Sequence, residues 1–288
     1  MVKKYKYLIA RGFSHVERRY LITKGNILRN SVSVFWARNV KNFGDLLNPI
    51  LLKSYGLTPI YANRSSAKVL AIGSILDDQP ENYSGFIVGS GLIKDITKVF
   101  PYANVLAVRG KLTRERIGAP ASTILGDPGL LADRLLLRRQ TKQFVIGLIP
   151  HYVDKANENI QKIYHRNKDK VLIIDVQQSP KKVISNIDKC EFILSSSLHG
   201  IIAADSLGIP NAWINLSDKV IGYGYKFYDY ASSFGMEYVP KHITGDENLE
   251  VLKTMTHEPA LAIQTIKNEL DYVFKRLNYE ILKNYRNN

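Results

Sequence analysis

At 288 residues the chain has room for two lobes of α/β units, and its single cysteine excludes an intrachain disulfide. Lysine and arginine number 40 against 26 acidic residues, and the resulting charge of +14 favours an anionic partner. Apolar residues make up 45%, ordinary for a folded protein, and no apolar stretch reaches the roughly 20 residues that span a bilayer.

Residues 1–30 are strongly basic, and Tyr5, Leu8, Ile9, Phe13, Val16 and Tyr20 recur at helical spacing. This predicts a basic amphipathic extension, either docked on its own protein or resting on an anionic membrane surface. From residue 31 the pattern is strand, turn and helix, repeated. Strands are predicted at 32–37, 69–72, 86–88, 105–108 and 122–125, then at 144–149, 171–175, 192–194 and 212–215. Helical patterns fall at 49–55, 111–117, 154–165 and 200–207. Such alternation implies parallel sheets with right-handed crossovers. A basic interruption at 134–142 divides the chain into an N-terminal Rossmann-like lobe, 31–140, and a C-terminal one, 141–258, whose sheets face a cleft. Residues 259–288 form a long helix able to cross back to the first lobe.

Open parallel sheets bind ligands beyond the carboxyl ends of their strands, so the loops there hold the candidate residues. After the first strand comes Asn42-Phe43-Gly44-Asp45-Leu46-Leu47-Asn48-Pro49. Asn48 reads as the cap of the next helix with Pro49 at its first position. Asp45 is left to accept from backbone N–H groups or from a sugar hydroxyl. Gly73-Ser74 and Gly89-Ser90-Gly91 follow strands as turns, with neither a dinucleotide fingerprint nor a P-loop. Arg109 closes the strand at 105–108 and either grips an anion bidentately or pairs with Glu115 or Asp127. Asp127 lies in Leu125-Gly126-Asp127-Pro128, a second ligand or turn candidate. Lys226-Phe227-Tyr228-Asp229-Tyr230 sits in an aromatic, loop-like stretch suited to sugar recognition or to packing between lobes.

The most informative segment is 191–210. Phe192, Ile193 and Leu194 form a covered strand, Ser195, Ser196 and Ser197 turn, and His199 stands at the N-terminus of a small-residue helix containing Gly200. Unpaired N–H groups and the positive end of the helix dipole make this an anion site with a histidine beside it, or simply a serine-capped helix. No His-Glu-x-x-His, cysteine cluster or Gly-x-Ser-x-Gly occurs, so neither a metal nor a serine hydrolase is expected.

In order and spacing, Asn42-Phe43-Gly44-Asp45, Val108-Arg109-Gly110, Leu125-Gly126-Asp127-Pro128, Ser196-Ser197-Leu198-His199-Gly200 and Lys226-Phe227-Tyr228-Asp229-Tyr230 resemble the polysaccharide pyruvyl transferase family over residues 32–235. The resemblance implies a two-lobed fold like the GT-B glycosyltransferases. It also implies transfer of the pyruvyl group of phosphoenolpyruvate onto two hydroxyls of a sugar in a bacterial surface-polysaccharide precursor, as a cyclic ketal. His199 inherits the acid/base role, with Asp45 as a second catalytic candidate. Arg109 inherits a donor contact, supported by Asn42, Ser196, Ser197, Leu198, Gly200, Asp127 and Asp229. Many members carry arginine where this chain has Ser197, so a second donor cation is expected from Lys226 or Arg38.

No cofactor is expected beyond the phosphoenolpyruvate substrate, and no nucleic acid. The expected acceptor is a lipid-diphosphate-linked oligosaccharide, and the expected location is cytoplasmic, peripheral on the inner membrane face. A GT-B nucleotide-sugar glycosyltransferase is the rival reading. A non-catalytic protein binding anionic glycan or nucleic acid stands behind it.

Overall fold

A computed structural model describes residues 30–286. The expected basic helix at 1–30 lies, but for its last residue, outside them. Two parallel sheets organise the chain. The first has the order β2-β1-β3-β4-β5-β6, with β1 Ser31–Phe35, β2 Thr58–Tyr61, β3 Val69–Leu70, β4 Phe86–Val88, β5 Asn104–Val108 and β6 Ile124–Leu125. The second has the order β10-β9-β7-β8, with β7 Phe144–Ile149, β8 Val171–Ile173, β9 Cys190–Ser195 and β10 Asn211–Trp213. The expected α/β fold with two parallel sheets is therefore present. The central strands are apolar on both faces, as sheets covered on both sides require: Val34, Val69, Ile146, Leu148, Ile193 and Leu194 are all inaccessible to solvent. Each such side chain stabilises the fold by roughly 1.5–3 kcal/mol.

The first helix, α1, runs Phe43–Ser54 and corrects the expected start at Pro49. Asn42, not Asn48, is its cap, and accepts from the Gly44 N–H at 3.0 Å. Pro49 lies inside the helix, where its missing N–H leaves the Asp45 carbonyl without its usual partner. The Asn48 side chain supplies the replacement at 3.0 Å and also exchanges two hydrogen bonds with the backbone of Ile72. A proline that reads as a start signal is thus tolerated because its neighbour repairs the ladder and ties α1 to the loop after β3.

The remaining helices are α2 Lys111–Arg116, α3 Glu158–Arg166, α4 Pro180–Asp188, α5 Leu198–Ser206, α6 Tyr225–Ser232, α7 Leu249–Thr254 and α8 Ile263–Arg286. α4 and α7 fall where no helix was expected, and two others differ in form from the expectation. The pattern at 154–165 divides into a 3-10 turn at Tyr152–Asp154 and α3, whose start Asn157 caps by accepting from the N–H groups of Asn159 and Ile160. The supposed loop at 226–230 is part of α6, which buries Tyr225, Phe227, Asp229 and Tyr230.

The long C-terminal helix α8 does cross back. It lies against β4, β5, β6 and the 3-10 segment Pro128–Leu135. Ile266, Leu270, Phe274 and Leu277 join Val32, Val34 and Val88 in one apolar core. That core also contains Ile149, Ile193 and Ile201, so it runs beneath both sheets. Lys267 bonds Asp133 at 2.6 Å, and the Tyr55 ring stacks on Phe274 at 4.9 Å. Among the described residues no helix is long and apolar enough to cross a membrane.

Candidate functional site

The carboxyl ends of β1, β3, β4, β5, β7 and β9 converge on one cleft of about 610 Å³. Asn42 and Asp45 reach it from the β1 loop and α1, Arg109 from the end of β5, and Ser197, Leu198 and His199 from the β9–α5 turn. Lys226 enters from α6. Six expected loop residues and one helical lysine, drawn from both halves of the sequence, therefore share one cavity.

His199 is the second residue of α5. Its Nδ1 lies 3.2 Å from Asn42 Oδ1, the same oxygen that accepts from the Gly44 N–H. An oxygen fixed as acceptor by a backbone N–H can only receive from the imidazole. His199 therefore carries its proton on Nδ1 when neutral, leaving the Nε2 lone pair free. The ring lies against the Gly44 backbone, where a β-carbon would be only 2.0 Å away. Burial lowers its pKa to about 3, helped by the charges of Lys226 and Arg109 and by His151, so the ring is uncharged at neutral pH.

Asp45 departs in the other direction. Burial raises its pKa to about 7, with Lys226 opposing and Asp127 reinforcing. Its carboxyl rests on Gly73, a left-handed residue at φ +114 whose hypothetical β-carbon would sit 3.1 Å from Asp45 Oδ1. Lys226 is lowered to about 8 by burial and by Arg109, while Asp45 raises it. Lys226 thus lowers the pKa of both the carboxyl and the imidazole in this cleft, an arrangement characteristic of functional sites.

Arg109 is fully buried and pairs with neither Glu115 nor Asp127. Its Nε donates to Asp229 at 2.9 Å, Nη1 to Ser74 Oγ at 2.6 Å, and Nη2 to the Leu92 carbonyl. Gly91 lacks the side chain that would meet the guanidinium at 2.4 Å. Three bonds fix the arginine's direction and leave two of its five N–H groups uncommitted. Gly73-Ser74 and Gly89-Ser90-Gly91, read as turns, therefore also form the bed on which Asp45 and Arg109 lie.

Several expected ligands are placed elsewhere. Asp229 is fully buried and accepts from Arg109, the Thr113 N–H and the Thr113 hydroxyl, so it holds Arg109 instead of a sugar. Asp127 is also buried, outside the cleft lining. It caps the following 3-10 segment through the Gly129 N–H at 2.8 Å, and burial raises its pKa to about 6. Arg38 stacks its guanidinium over the Tyr61 ring at 4.2 Å and does not line the cleft, whereas Lys226 does, as do Arg64 and Lys94. Gly200 is packed against Ser195 Oγ and Ile149. Ser196 accepts from the His151 N–H at 2.8 Å and bonds Asp154, bracing the β7 and β9 loops without lining the cleft. Ser197 occupies the cap position of α5 but its hydroxyl makes no cap bond, so the serine-capped reading of this helix does not hold.

Several cleft-lining residues escaped the sequence reading, among them Arg64, Asp77, Lys94 and two aromatic ones. His151 and Tyr152 follow β7, with ring centroids 4.2 Å apart, and burial with Lys226 lowers the His151 pKa to about 4. Their only signal was position, immediately beyond a buried strand.

A family model for polysaccharide pyruvyl transferases matches residues 8–218. A protein of Acanthamoeba polyphaga mimivirus is 36% identical over 178 residues, covering 58% of this chain and 60% of the viral one. This match thus spans less than two thirds of the relative. The succinoglycan biosynthesis protein ExoV of Rhizobium meliloti (strain 1021) is 25% identical over 227 residues, 76% of this chain and 69% of its own. Among solved structures, the wall teichoic acid polymerase TagF aligns over 92% of this chain and 90% of its own at 12% identity, with a TM-score of 0.46. The avilamycin A biosynthesis glycosyltransferase AviGT4 aligns over 89% and 97% at 10% identity, with a TM-score of 0.39. With nearly three quarters of its length matched by one family model, the chain belongs to the polysaccharide pyruvyl transferases.

Proposed function

We propose that this chain is a polysaccharide-modifying transferase that moves the pyruvyl group of phosphoenolpyruvate onto two hydroxyls of one sugar, closing a cyclic ketal. The observation that carries this reading is the meeting of Arg109, Lys226 and His199 in one cleft at the carboxyl ends of both sheets. A small trianion needs concentrated positive charge, and its enol needs a proton donor.

Arg109 and Lys226 bind the donor's phosphate and carboxylate, together with the N–H groups at the start of α5, which no side chain caps. The trianion offsets the cations that hold His199 neutral, so its pKa rises on donor binding and Nε2 takes up a proton. The imidazolium then protonates the methylene carbon, and a sugar hydroxyl attacks the adjacent carbon. The carbon–oxygen bond to phosphate breaks, and the second hydroxyl closes the ring. Of the two hydroxyl protons, one replaces that given to the methyl group and the other leaves on hydrogen phosphate. Asp45, whose pKa lies near neutrality, relays the first hydroxyl proton to the departing phosphate. Holding a diol in line with the donor carbon is the larger task, since orientation alone supplies up to about 7–11 kcal/mol.

The acceptor is a surface-polysaccharide precursor, lipid-diphosphate-linked, met at the inner face of the membrane. The test is incubation of the purified chain with phosphoenolpyruvate and candidate glycan acceptors, followed by mass analysis. A product heavier by one pyruvate less one water, with release of inorganic phosphate, supports the reading. A hexose gained from a nucleotide sugar, with none from phosphoenolpyruvate, overturns it in favour of a glycosyltransferase.

A further inference from the structure

Beyond the catalytic residues the cleft opens into a second groove of about 700 Å³ between the loop after β4 and the segment leading into α6. Lys94, Ile96 and Ile221 line both cavities, so they form one trough. Segment 222–224 is left-handed throughout: Gly222 at φ +95, Tyr223 at +48 and Gly224 at +83. Among the described residues Tyr223 alone takes a positive φ without being glycine. Its neighbours pin it on both sides. A β-carbon at Gly222 would lie 2.0 Å from the Ile93 carbonyl oxygen, and one at Gly224 would lie 2.5 Å from the Trp213 ring.

This costly backbone holds the Tyr223 phenol 98% exposed, without a hydrogen bond or ring contact among the described residues. Tyr228 stands nearby, 40% exposed and edge-on to Trp213 at 5.4 Å. Between them Tyr225 borders the groove, only 8% exposed, and its hydroxyl has no partner among the described residues. Strain, two exposed rings and an unpartnered hydroxyl gathered around one groove together point to a ligand. The groove's lining carries two lysines, Lys94 and Lys219, against two carboxylates, Asp95 and Asp218, so neither sign is in excess on it. The lining is therefore suited to an uncharged polar chain and not to a nucleotide or an acidic lipid.

We propose that this groove binds the sugar units attached to the one that reacts, with Tyr223 and Tyr228 as flat faces for pyranose rings. The chain thereby selects an oligosaccharide over a single sugar. The proposal rests on the pyruvyl-transfer reading for its occupant, and the groove's continuity with the catalytic cleft fixes where that occupant lies.

The test is an array of bacterial surface oligosaccharides of one to four sugars, probed with the full chain, and titration calorimetry of the best binder against its terminal monosaccharide. The trisaccharide binds about tenfold more tightly, and Tyr223→Gly, which relieves the backbone, removes most of that gain while keeping or raising Tm. Phosphoenolpyruvate affinity is unchanged in the variant. Affinity that does not grow with length, or a Tyr223→Gly variant indistinguishable from the parent at every length, overturns the groove. If pyruvyl transfer fails with every acceptor while Tyr223-dependent, length-dependent binding persists, the proposed reaction falls and the groove stands.

Discussion

The imidazole of His199 occupies the space that a side chain at Gly44 would need, with a β-carbon there falling 2.0 Å from the ring. Gly44 belongs to the first sheet's half and His199 to the second, so one missing methyl group lets the two halves assemble a site. Gly44→Ala is expected to keep the fold but displace the ring by an ångström or more, lowering kcat on the order of 100-fold. Circular dichroism with steady-state kinetics checks this. Unaltered turnover would detach Gly44 from the site.

His199 itself is expected to contribute about 10²–10⁴-fold to kcat, read from His199→Gln. Its pKa of about 3 without donor means that raising it on donor binding draws protons from solution. Calorimetry of phosphoenolpyruvate binding at pH 7, in buffers of different ionisation enthalpy, should show proton uptake that diminishes in the variant. Proton release would contradict the acid role.

Lys226 and Arg38 separate cleanly. Lys226→Met is expected to raise the KM for phosphoenolpyruvate by about 10–100-fold, with Lys226→Arg restoring part of it. Arg38→Ala should leave that KM alone, because its guanidinium lies over Tyr61, away from the cleft. A comparable effect from Arg38 would reopen the choice of second cation.

Asp229→Ala leaves the Arg109 guanidinium buried without its counter-charge and strips Thr113 of two bonds. Loss of roughly 3–5 kcal/mol of stability is expected by chemical denaturation. Loss of less than about 1 kcal/mol would show that Arg109 finds solvent or another partner.

Asp45 makes stability pH-dependent in a defined direction. Its folded pKa, about 7, exceeds that of the unfolded chain, so between pH 4 and 7 the folded state holds more protons and stability falls as pH rises. Asp45→Asn removes that loss. It is expected to gain on the order of 1–2 kcal/mol relative to the parent at pH 8 and little at pH 4, allowing for partial exposure. Thermal melts at the two pH values decide it.

Most strands were legible because an apolar run between turn residues has few other meanings, as at Phe192-Ile193-Leu194; β2 was not, since Thr58-Pro59-Ile60-Tyr61 is short and carries a proline. The start of α1 was not, since Asn48-Pro49 carries the local grammar of a helix beginning. Its true role depends on Ile72, far along the chain, for which no local pattern speaks. The same limit governed Arg109. Its carboxylate partner lies 120 residues away on α6, so the nearer Glu115 and Asp127 were the visible choices. His199, Asp45 and Lys226 were readable because histidine, aspartate and lysine beside glycine-rich turns are chemically conspicuous. Asp127 and Asp229 looked equally conspicuous, and what sets them apart is that neither lines the cleft.

The return of α8 onto the first sheet sets an order for folding. Residues 31–125 supply strands whose lower face remains greasy until Ile266, Leu270 and Phe274 arrive. A ribosome releasing this chain therefore cannot finish its first half first. The early strands must wait, shielded or loosely collapsed, for a segment synthesised some 140 residues later. Truncation within that helix should consequently damage the beginning of the protein more than its middle.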